Sequence, residues 1–381
     1  TQYNRINVEK GRPNIPVIQL GAEAVEKAIE DAKIDRRKIE YAVCAMVFSG
    51  AMQGPGQLVL AESGLLGIPI QNVKNACASG TGAIYEIYND IRAGLYDIGL
   101  AFGMEKLSTI RGALPLGFGW DHEATLGMAM TGKYAMRARR HMYLYGTKIE
   151  QLAEVCVKSR ENASKNPYAM FRDRITIEDV LNSRMIADPL TLYQCCPNND
   201  GAAAVILASE EIARECENPI KIETAILISG SYPPKPSIKG MEEYISLSKA
   251  MELAYKKAGI TPKDVDVAEV HDAFSIGELL AMESSEFCKP GESGKMIEEG
   301  ETRIDGSIPI NPSGGLLSCG HPLGATGVRQ ACELVWQLRG EAGERQVKNA
   351  HIGIAETLGG GVSGMDIAAA GVLVLSNYTK W

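Results

Sequence analysis

'AVEKAIEDAKIDRRKIEYA' (24–42) and 'AMELAYKKAGITPKDVDVA' (250–268) resemble each other along their whole length, at a shift of 226 residues. Each stretch predicts an amphipathic helix with small residues at every fourth position, followed by a short turn and a strand. A second pair, 'DIGLA' (97–101) and 'HIGIA' (351–355), follows in the same order and has the short apolar run of a buried strand. Two matches in one order predict a duplicated α/β unit.

The composition is that of a folded protein with a large core. The chain has 381 residues, of which 45% are hydrophobic and 23% charged, so it allows two or three domains or one duplicated architecture. Its 39 basic and 47 acidic residues give a net charge of −8 and argue against nucleic-acid or anionic-membrane binding. The apolar runs at 202–208 and 368–375 are far shorter than the ~20 residues that span a bilayer. We expect a cytoplasmic protein.

The segment 105–200 interrupts the first half of the repeat. It is rich in Met, Arg, Tyr and polar residues and predicts helices and loops rather than glycine- and alanine-rich strands. We expect an N-terminal half at 1–245 that contains this insertion, and a C-terminal half at 246–381. The insertion is expected to contact substrate; a purely structural role in oligomer packing is the alternative.

Nine cysteines and five scattered histidines, with no C-x-x-C pair, argue against a disulfide framework and against an internal metal site. Most thiols are therefore expected to be reduced and buried. Cys77, in 'NACASGTG' (75–82), differs because it comes just before a predicted helix. The positive end of that helix would favour the thiolate, and small neighbours leave backbone N–H groups open to an oxyanion. Buried packing is the alternative role for Cys77.

Three further segments contain polar residues or glycine runs at predicted junctions of strands, loops and helices. His321 lies in the glycine-rich loop 'NPSGGLLSCGHPLGATG' (311–327), and His271 and Asp272 end a predicted strand in 'EVHDAF' (269–274). A core histidine and a helix N-cap are the ordinary alternatives for His321 and Asp272. 'AETLGGGVSG' (355–364) ends a strand in three glycines, which suits either an anion-binding turn or a tight turn. One cysteine with two distant histidines is the pattern of a nucleophile with its base.

Four segments resemble the thiolase superfamily in their order and spacing: the Cys77 loop, 'HDAF', 'GHPLGATG' and the triple glycine. The resemblance covers essentially the whole chain. The segments 145–173 and 190–207 resemble the sterol-carrier-protein type in particular, and the chain is also similar to the large subunit of benzoylsuccinyl-CoA thiolase. The resemblance implies an α/β fold of five layers, αβαβα, with two similar halves and a helical insertion.

The resemblance also implies a role for each matching residue. Cys77 corresponds to the nucleophile that takes the acyl group from coenzyme A, and His321 to the base that activates it. His271 corresponds to a residue of one oxyanion hole, while the N–H groups of Cys77 and Gly359 correspond to the other.

The chain departs from the family pattern at two positions. Thiolases use a second cysteine as the acid/base for the substrate α-carbon, but its two known positions are here Thr357 and Ala273. Cys319 is the nearest thiol to a recognised motif and is a candidate substitute, with His271, His321 or a bound water as alternatives. The opening 'TQYNRI' is expected to lack the usual first strand, as in a truncated or disordered N-terminus.

The resulting hypothesis is an acyl-CoA C-acyltransferase, with coenzyme A as co-substrate and no resident cofactor or metal. It would cleave a 3-oxoacyl-CoA with CoA or run the reverse Claisen condensation. The alternatives are a Cys–His condensing enzyme without thiolysis and a non-catalytic subunit of the same fold. A homodimer core is expected, with a small OB-fold, zinc-ribbon protein as a possible partner subunit. The candidate CoA-binding residues are Arg137, Arg139, Arg140, Lys158, Ser313 and Gly314.

Overall fold

The computed structural model describes residues 3–4, 15–48, 52–108, 110, 121–231, 241–361 and 366–377. Up to residue 208 its helices and strands are β1 (Tyr3–Asn4), α1 (Val17–Ala32), β2 (Tyr41–Ala45), α2 (Pro55–Glu62), β3 (Ile70–Val73), α3 (Ser79–Arg92), β4 (Ile98–Lys106), α4 (His122–Thr125), α5 (Met130–Tyr145), α6 (Ile149–Ser164), α7 (Ile177–Asn182), β5 (Met185–Ala187), β6 (Leu190–Thr191) and β7 (Asp200–Ala208).

From residue 210 onward a second set follows. It consists of α8 (Glu210–Ala213), β8 (Lys221–Ser229), α9 (Ile245–Ala258), β9 (Val267–Glu269), α10 (Ser275–Ser284), α11 (Ser293–Glu298), α12 (Gly315–Cys319), α13 (Leu323–Arg339), β10 (Ile352–Gly359) and β11 (Ala369–Ser376).

Two mixed sheets repeat one topology. The first has the strand order β1-β7-β4-β2-β3 and the second β8-β11-β10-β9. In each sheet the central pair is antiparallel, β4 with β7 and β10 with β11, and a shorter strand adds in parallel, β2 to β4 and β9 to β10. An isolated parallel bridge between Ala268 and Ile310 takes the place that β3 has in the first sheet. The duplication predicted from the two sequence matches is confirmed.

The helices form three layers around the two sheets. Helices α1 and α2 cover the outer face of the first sheet, and α9, with α10 against it, covers the outer face of the second. Helices α3 and α13 lie between the sheets and contact both. This is the predicted αβαβα arrangement, and the buried alanines of α9, Ala250 and Ala254, let that helix lie close to its sheet.

Glycines let the two central helices touch through their backbones. A Cβ on Gly80 of α3 would lie 2.9 Å from the Gly324 carbonyl oxygen of α13. A Cβ on Gly103 of β4 would lie only 2.0 Å from that same oxygen. Because a Cβ atom cannot approach that closely, the N-terminal turn of α13 is in contact with both α3 and β4 through positions that admit only glycine.

The segment between β4 and β7 folds over the second half of the molecule. It contains α4 to α7 and the two-stranded β5–β6 pair, and its helix α6 packs on α10, α11 and α12. Residues 109 and 111–120 of the predicted insertion lie outside the described residues. The domain limits 1–245 and 246–381 stay predictions.

The chain start differs from the prediction. Tyr3 and Asn4 form a short strand that pairs antiparallel with Gly201 and Asp200 of β7, so the first sheet does have a strand before α1. Among the described helices, none combines the length and apolarity needed to cross a bilayer.

Replacing Gly103 with alanine should destabilise the protein by about 3 kcal/mol or more, because overpacking against an immobile backbone costs ~1–3 kcal/mol and the Gly324 oxygen is not free to move. Denaturant unfolding measures the change. Gly132→Ala is the control: its Cβ would meet only the flexible Met128 sulfur, at 3.3 Å, so neutral or slightly higher stability is expected. Equal stability of both variants would contradict the close approach.

Candidate active site

A strained turn presents Cys77 at the start of α3. Ala76 has a φ of 49°, in the left-handed region that a residue with a side chain rarely adopts. The Ser79 hydroxyl stabilises this turn, since it donates to the Ala76 carbonyl oxygen at 2.6 Å and accepts from the Asn75 N–H at 2.7 Å. Cys77 therefore lies two residues before the first residue of α3 with its backbone direction fixed.

His321 precedes α13 in the same way, and its ring is held by Thr326. The Thr326 hydroxyl donates to the Pro322 carbonyl oxygen at 3.1 Å and lies 2.8 Å from Nδ1 of His321. With its one hydrogen directed to Pro322, the hydroxyl oxygen accepts from Nδ1–H. The tautomer of His321 therefore leaves Nε2 unprotonated, and this buried nitrogen has no partner among the described residues.

His271 lies just after β9, at the end of the second sheet. Its backbone N–H donates to Oε1 of Glu356 on β10 at 2.5 Å, which fixes the loop. Its ring meets the ring of His321 edge to face, at 4.8 Å between centroids and 83° between planes. Nδ1 of His271 is buried and, in the described part of the chain, unpaired.

The structure brings together the three residues that the sequence singled out. One side-chain atom each of Cys77, His271 and His321 lies within 4.8 Å of the others. Their exposed fractions are 8%, 2% and 5%, so the cluster is almost closed to solvent. A sulfur and two ring nitrogens are also zinc ligands, one short of a tetrahedral set. The absence of a resident metal stays a prediction.

Both histidines are neutral at physiological pH. Burial lowers the pKa of His271 to about 3, with the positive charge of Arg329 adding to the effect. Burial lowers the pKa of His321 well below its usual range, and His271 and Arg329 contribute in the same direction. A neutral imidazole with a free Nε2 can accept a proton from a neighbouring thiol.

The thiol of Cys77 is neutral as well, which corrects the low pKa predicted from its position near a helix N-terminus. Burial, with a smaller contribution from the nearby carboxylate of Glu105, raises the pKa of Cys77 to about 12. The backbone N–H of Gly360 hydrogen-bonds to the sulfur and opposes this rise. Desolvation therefore outweighs the backbone N–H groups that favour the thiolate in the resting site.

The triple glycine brings β10 against the nucleophile loop. A Cβ on Gly359 would lie 2.3 Å from the Asn75 carbonyl oxygen, so only glycine fits there. It is the next residue, Gly360, whose N–H reaches the Cys77 sulfur. The sequence identified Gly359 as an oxyanion donor and missed Gly360; the role of the Gly359 N–H stays a prediction.

Glu105 at the end of β4 was also missed. Its buried carboxylate accepts backbone N–H bonds from Val47 and Phe48 at 2.9 Å and from Gly324 at 3.3 Å. Burial raises the pKa of Glu105, and these three N–H groups oppose the shift. The carboxylate thereby ties the end of β2 to the start of α13 beside His321. No motif in the sequence signals this contact, because its partners are backbone groups far apart along the chain.

Asp272 is not the N-cap of the helix that follows it. The N-cap position of α10 is Phe274, with no capping side chain. The Asp272 carboxylate instead accepts from the Leu316 N–H at 2.6 Å, at the start of α12. Asp272 therefore positions the loop that leads to His321, and the predicted capping role is corrected to this long-range one.

Cys319 lies away from the cluster of Cys77, His271 and His321. It is fully buried with Ala163 and Ala169, and its thiol donates to the Ser313 carbonyl oxygen at 3.0 Å. These contacts are those of a packing residue, and they give no support to Cys319 as acid/base.

Four of the six candidate CoA-binding residues are buried in the structure, and their role in CoA binding stays a prediction. Arg137 donates to the Asp366 carbonyl oxygen at 2.7 Å and stacks on Tyr244, and Lys158 forms an ion pair with Glu278 inside the core. Both cations are thereby engaged by partners inside the protein.

The other two buried candidates belong to the loop before α12. Ser313 hydrogen-bonds to Glu269, and Gly314 packs on Ala163. Arg139 is exposed and pairs with Asp188, while Arg140 is partly exposed and pairs with Glu242.

The rate of Cys77 alkylation by iodoacetamide should rise about tenfold per pH unit between pH 7 and 9.5, because only the thiolate reacts and its pKa is about 12. Mass spectrometry of the peptide that contains Cys77 gives the rate. Free cysteine, with a pKa of ~8.5, is the reference and should level off near pH 9. A plateau for Cys77 below pH 8 would show a thiolate at rest and contradict the effect of burial.

Sequence profiles of known families match both halves of the chain. The profile of the thiolase N-terminal domain matches residues 4–211, and that of the thiolase C-terminal domain-like family matches residues 235–376.

Relatives align over most of the chain. It is 43% identical over 347 residues to an acetyl-CoA acetyltransferase of Methanothermobacter thermautotrophicus, covering 89% of this chain and 90% of that protein. It is 39% identical to benzoylsuccinyl-CoA thiolase subunit BbsB of Thauera aromatica, covering 92% of each. Human sterol carrier protein 2 is 38% identical, with 89% of this chain aligned to 65% of that longer protein.

A solved structure supports the fold alone. The Ltp2-ChsH2(DUF35) aldolase superposes on the whole chain with a TM-score of 0.83 at 24% sequence identity, covering 96% of the matched chain. With a thiolase N-terminal domain over more than half of the chain and relatives this similar, the chain belongs to the thiolase family and is a thiolase-type acyl-CoA C-acyltransferase.

Proposed function

We propose that this enzyme cleaves a 3-oxoacyl-CoA with coenzyme A, or runs the reverse condensation, through an acyl-enzyme on Cys77. The observation that carries the proposal is the convergence of Cys77, His271 and His321 within 4.8 Å, almost closed to solvent. A nucleophile and an unpaired base in one dry site are what transfer of an acyl group between thiols requires.

His321 is the proposed base. Its free Nε2 takes the Cys77 proton as sulfur attacks the substrate carbonyl, and Thr326 keeps the ring in the tautomer that can do so. The resting pair is neutral, so proton transfer and attack occur together. The same ring returns the proton when Cys77 leaves in the second half-reaction.

Backbone donors around the sulfur stabilise the negative charge that develops. The N–H groups of Cys77 and Gly359 are the proposed oxyanion hole for the acyl-enzyme carbonyl, with the Gly360 N–H acting on the sulfur itself. His271, neutral and with its ring perpendicular to that of His321, is proposed to hold a water in the oxyanion hole for the second thioester carbonyl.

A condensing enzyme or acyltransferase without thiolysis is the second candidate function. It is favoured because Ala273 and Thr357 occupy the two positions at which thiolases of known type have their second cysteine, so neither position has a thiol. A non-catalytic subunit is disfavoured, because the nucleophile, both histidines and the hydrogen bond that sets the tautomer of His321 are all present.

Coenzyme A is the proposed co-substrate, and the segment after β4 is its proposed binding region. Of the original candidates, Arg139 and Arg140 keep exposed or partly exposed guanidinium groups that suit the CoA phosphates. The proposal covers 3-oxoacyl-CoA thioesters as a class and assigns no particular acyl group.

A homodimer core and a small OB-fold, zinc-ribbon partner are further parts of the proposal. Support for a partner subunit comes from the relative named as a subunit and from the Ltp2-ChsH2(DUF35) aldolase. A cytoplasmic location is proposed as well, supported by nine free cysteines, as expected in a reducing compartment.

Incubation with an acyl-CoA should add the acyl mass to the peptide that contains Cys77, and Cys77→Ala should abolish the adduct. His321→Ala should slow acylation ~10²–10⁴-fold, the usual contribution of a general base. Mass spectrometry locates the adduct, and a CoA-release assay with a panel of 3-oxoacyl-CoA thioesters measures turnover. Cys216→Ala is the matched control and should change neither. An acyl group found on another peptide while turnover persists would overturn the assignment.

Light scattering at micromolar concentration should give twice the mass of the chain, because thiolase-fold proteins are expected to pair. A monomer at this concentration would contradict the dimer. Addition of a small partner protein tests the second association separately.

A further inference from the structure

Carbon–carbon bond chemistry at this site needs a group that moves a proton at the substrate α-carbon. The alanine at 273 has no such proton. The Thr357 hydroxyl is buried and shares a hydrogen bond of 2.8 Å with the Thr81 hydroxyl of α3. Neither position offers a thiol, so another group has to carry this proton.

A second chain segment runs directly beside Ala273. Cys195 forms an antiparallel bridge with Phe274, and the Cys196 N–H donates to the Ala273 carbonyl oxygen at 2.9 Å. Residues opposed in an antiparallel pair project to the same side with Cβ atoms about 5 Å apart. The side chain of Cys196 therefore lies on the face to which Ala273 presents its methyl group.

The neighbouring Cys195 points elsewhere. Successive side chains of an extended segment alternate between faces, and the Cys195 thiol donates to the Thr191 carbonyl oxygen at 3.4 Å. Cys196 is half-buried rather than enclosed, unlike Cys319. The pair provides two adjacent thiols, of which one faces the side of Ala273.

Cys196 lies beside the loop that carries His271, because its backbone partner Ala273 follows His271 by two residues. Burial raises the pKa of Cys196 well above its usual range. The thiol of Cys196 is therefore protonated at neutral pH and is ready to act as an acid. His321 is committed to Cys77, and burial of His271 disfavours its protonated form.

We propose that Cys196 is the proton carrier for the substrate α-carbon. Its side chain reaches the site from the neighbouring strand, on the face that carries the methyl group of Ala273. The proposal rests on the proposed acyl-enzyme mechanism. As the bond between C2 and C3 of the 3-oxoacyl-CoA breaks, its electron pair stays on C2 and takes the Cys196 S–H proton. The Cys196 thiolate then takes the proton of the incoming CoA thiol. The CoA thiolate attacks the Cys77 thioester, and departing Cys77 regains its proton from His321.

The test separates acylation from proton transfer. Three variants, Cys196→Ala, Cys196→Ser and the matched control Cys195→Ala, are compared with the wild type in two assays. The first is acylation of Cys77 by acyl-CoA, and the second is deuterium uptake at the α-carbon of acetyl-CoA in D₂O. Cys196→Ala should acylate at the wild-type rate but exchange at least ~100-fold more slowly, whereas Cys195→Ala should be normal in both.

Each result has a defined meaning. Exchange by Cys196→Ala within about threefold of wild type overturns the proposal and returns the role to a histidine or water. If the alanine variant fails to fold, the near-isosteric serine variant decides, since its hydroxyl is too weak an acid: lost exchange supports Cys196 and normal exchange overturns it. If the wild-type enzyme exchanges the α-proton but Cys77 is not acylated, the acyl-enzyme mechanism is overturned. In that case the effect of Cys196→Ala on exchange still decides the role of Cys196.

Discussion

The site depends on one backbone contact, between the N-terminal turns of α3 and α13. A Cβ on Gly327 would lie 2.4 Å from the Thr81 nitrogen, and one on Gly80 would lie 2.9 Å from the Gly324 oxygen. Because Cys77 comes just before α3 and His321 just before α13, this contact sets how closely sulfur and imidazole approach. A side chain at any of these glycines would push the two helices, and with them the nucleophile and base, apart.

Burial explains why the thiol of Cys77 and the imidazole of His321 stay uncharged when no substrate is bound. It raises the pKa of Cys77 and lowers that of His321, so the resting pair carries no charge. Charge arises only when a carbonyl carbon is present to receive the sulfur. At that moment the N–H groups of Gly360 and Cys77 are already oriented toward the sulfur, so stabilising the charge requires little reorganisation.

The sequence predicted those features that leave a local trace. The repeat was visible because both halves need small residues where helices lie against sheets, and Cys77 and His321 because glycines surround them. The sequence does not show which charged side chains are buried, so Lys158 was a candidate CoA-binding residue although it pairs with Glu278, 120 residues away. The same limit hid Glu105, whose partners are backbone N–H groups rather than a motif.

Duplication explains why nucleophile and base meet at all. Cys77 lies two residues before the first residue of α3, and His321 lies two residues before the first residue of α13. Helices α3 and α13 are equivalent in the two halves, so these two residues occupy equivalent positions. The positive end of a helix favours thiolate over thiol but neutral imidazole over imidazolium. At Cys77 this field opposes the effect of burial, whereas at His321 it acts in the same direction as burial, so the base returns its proton readily, as a reversible acyl transfer requires.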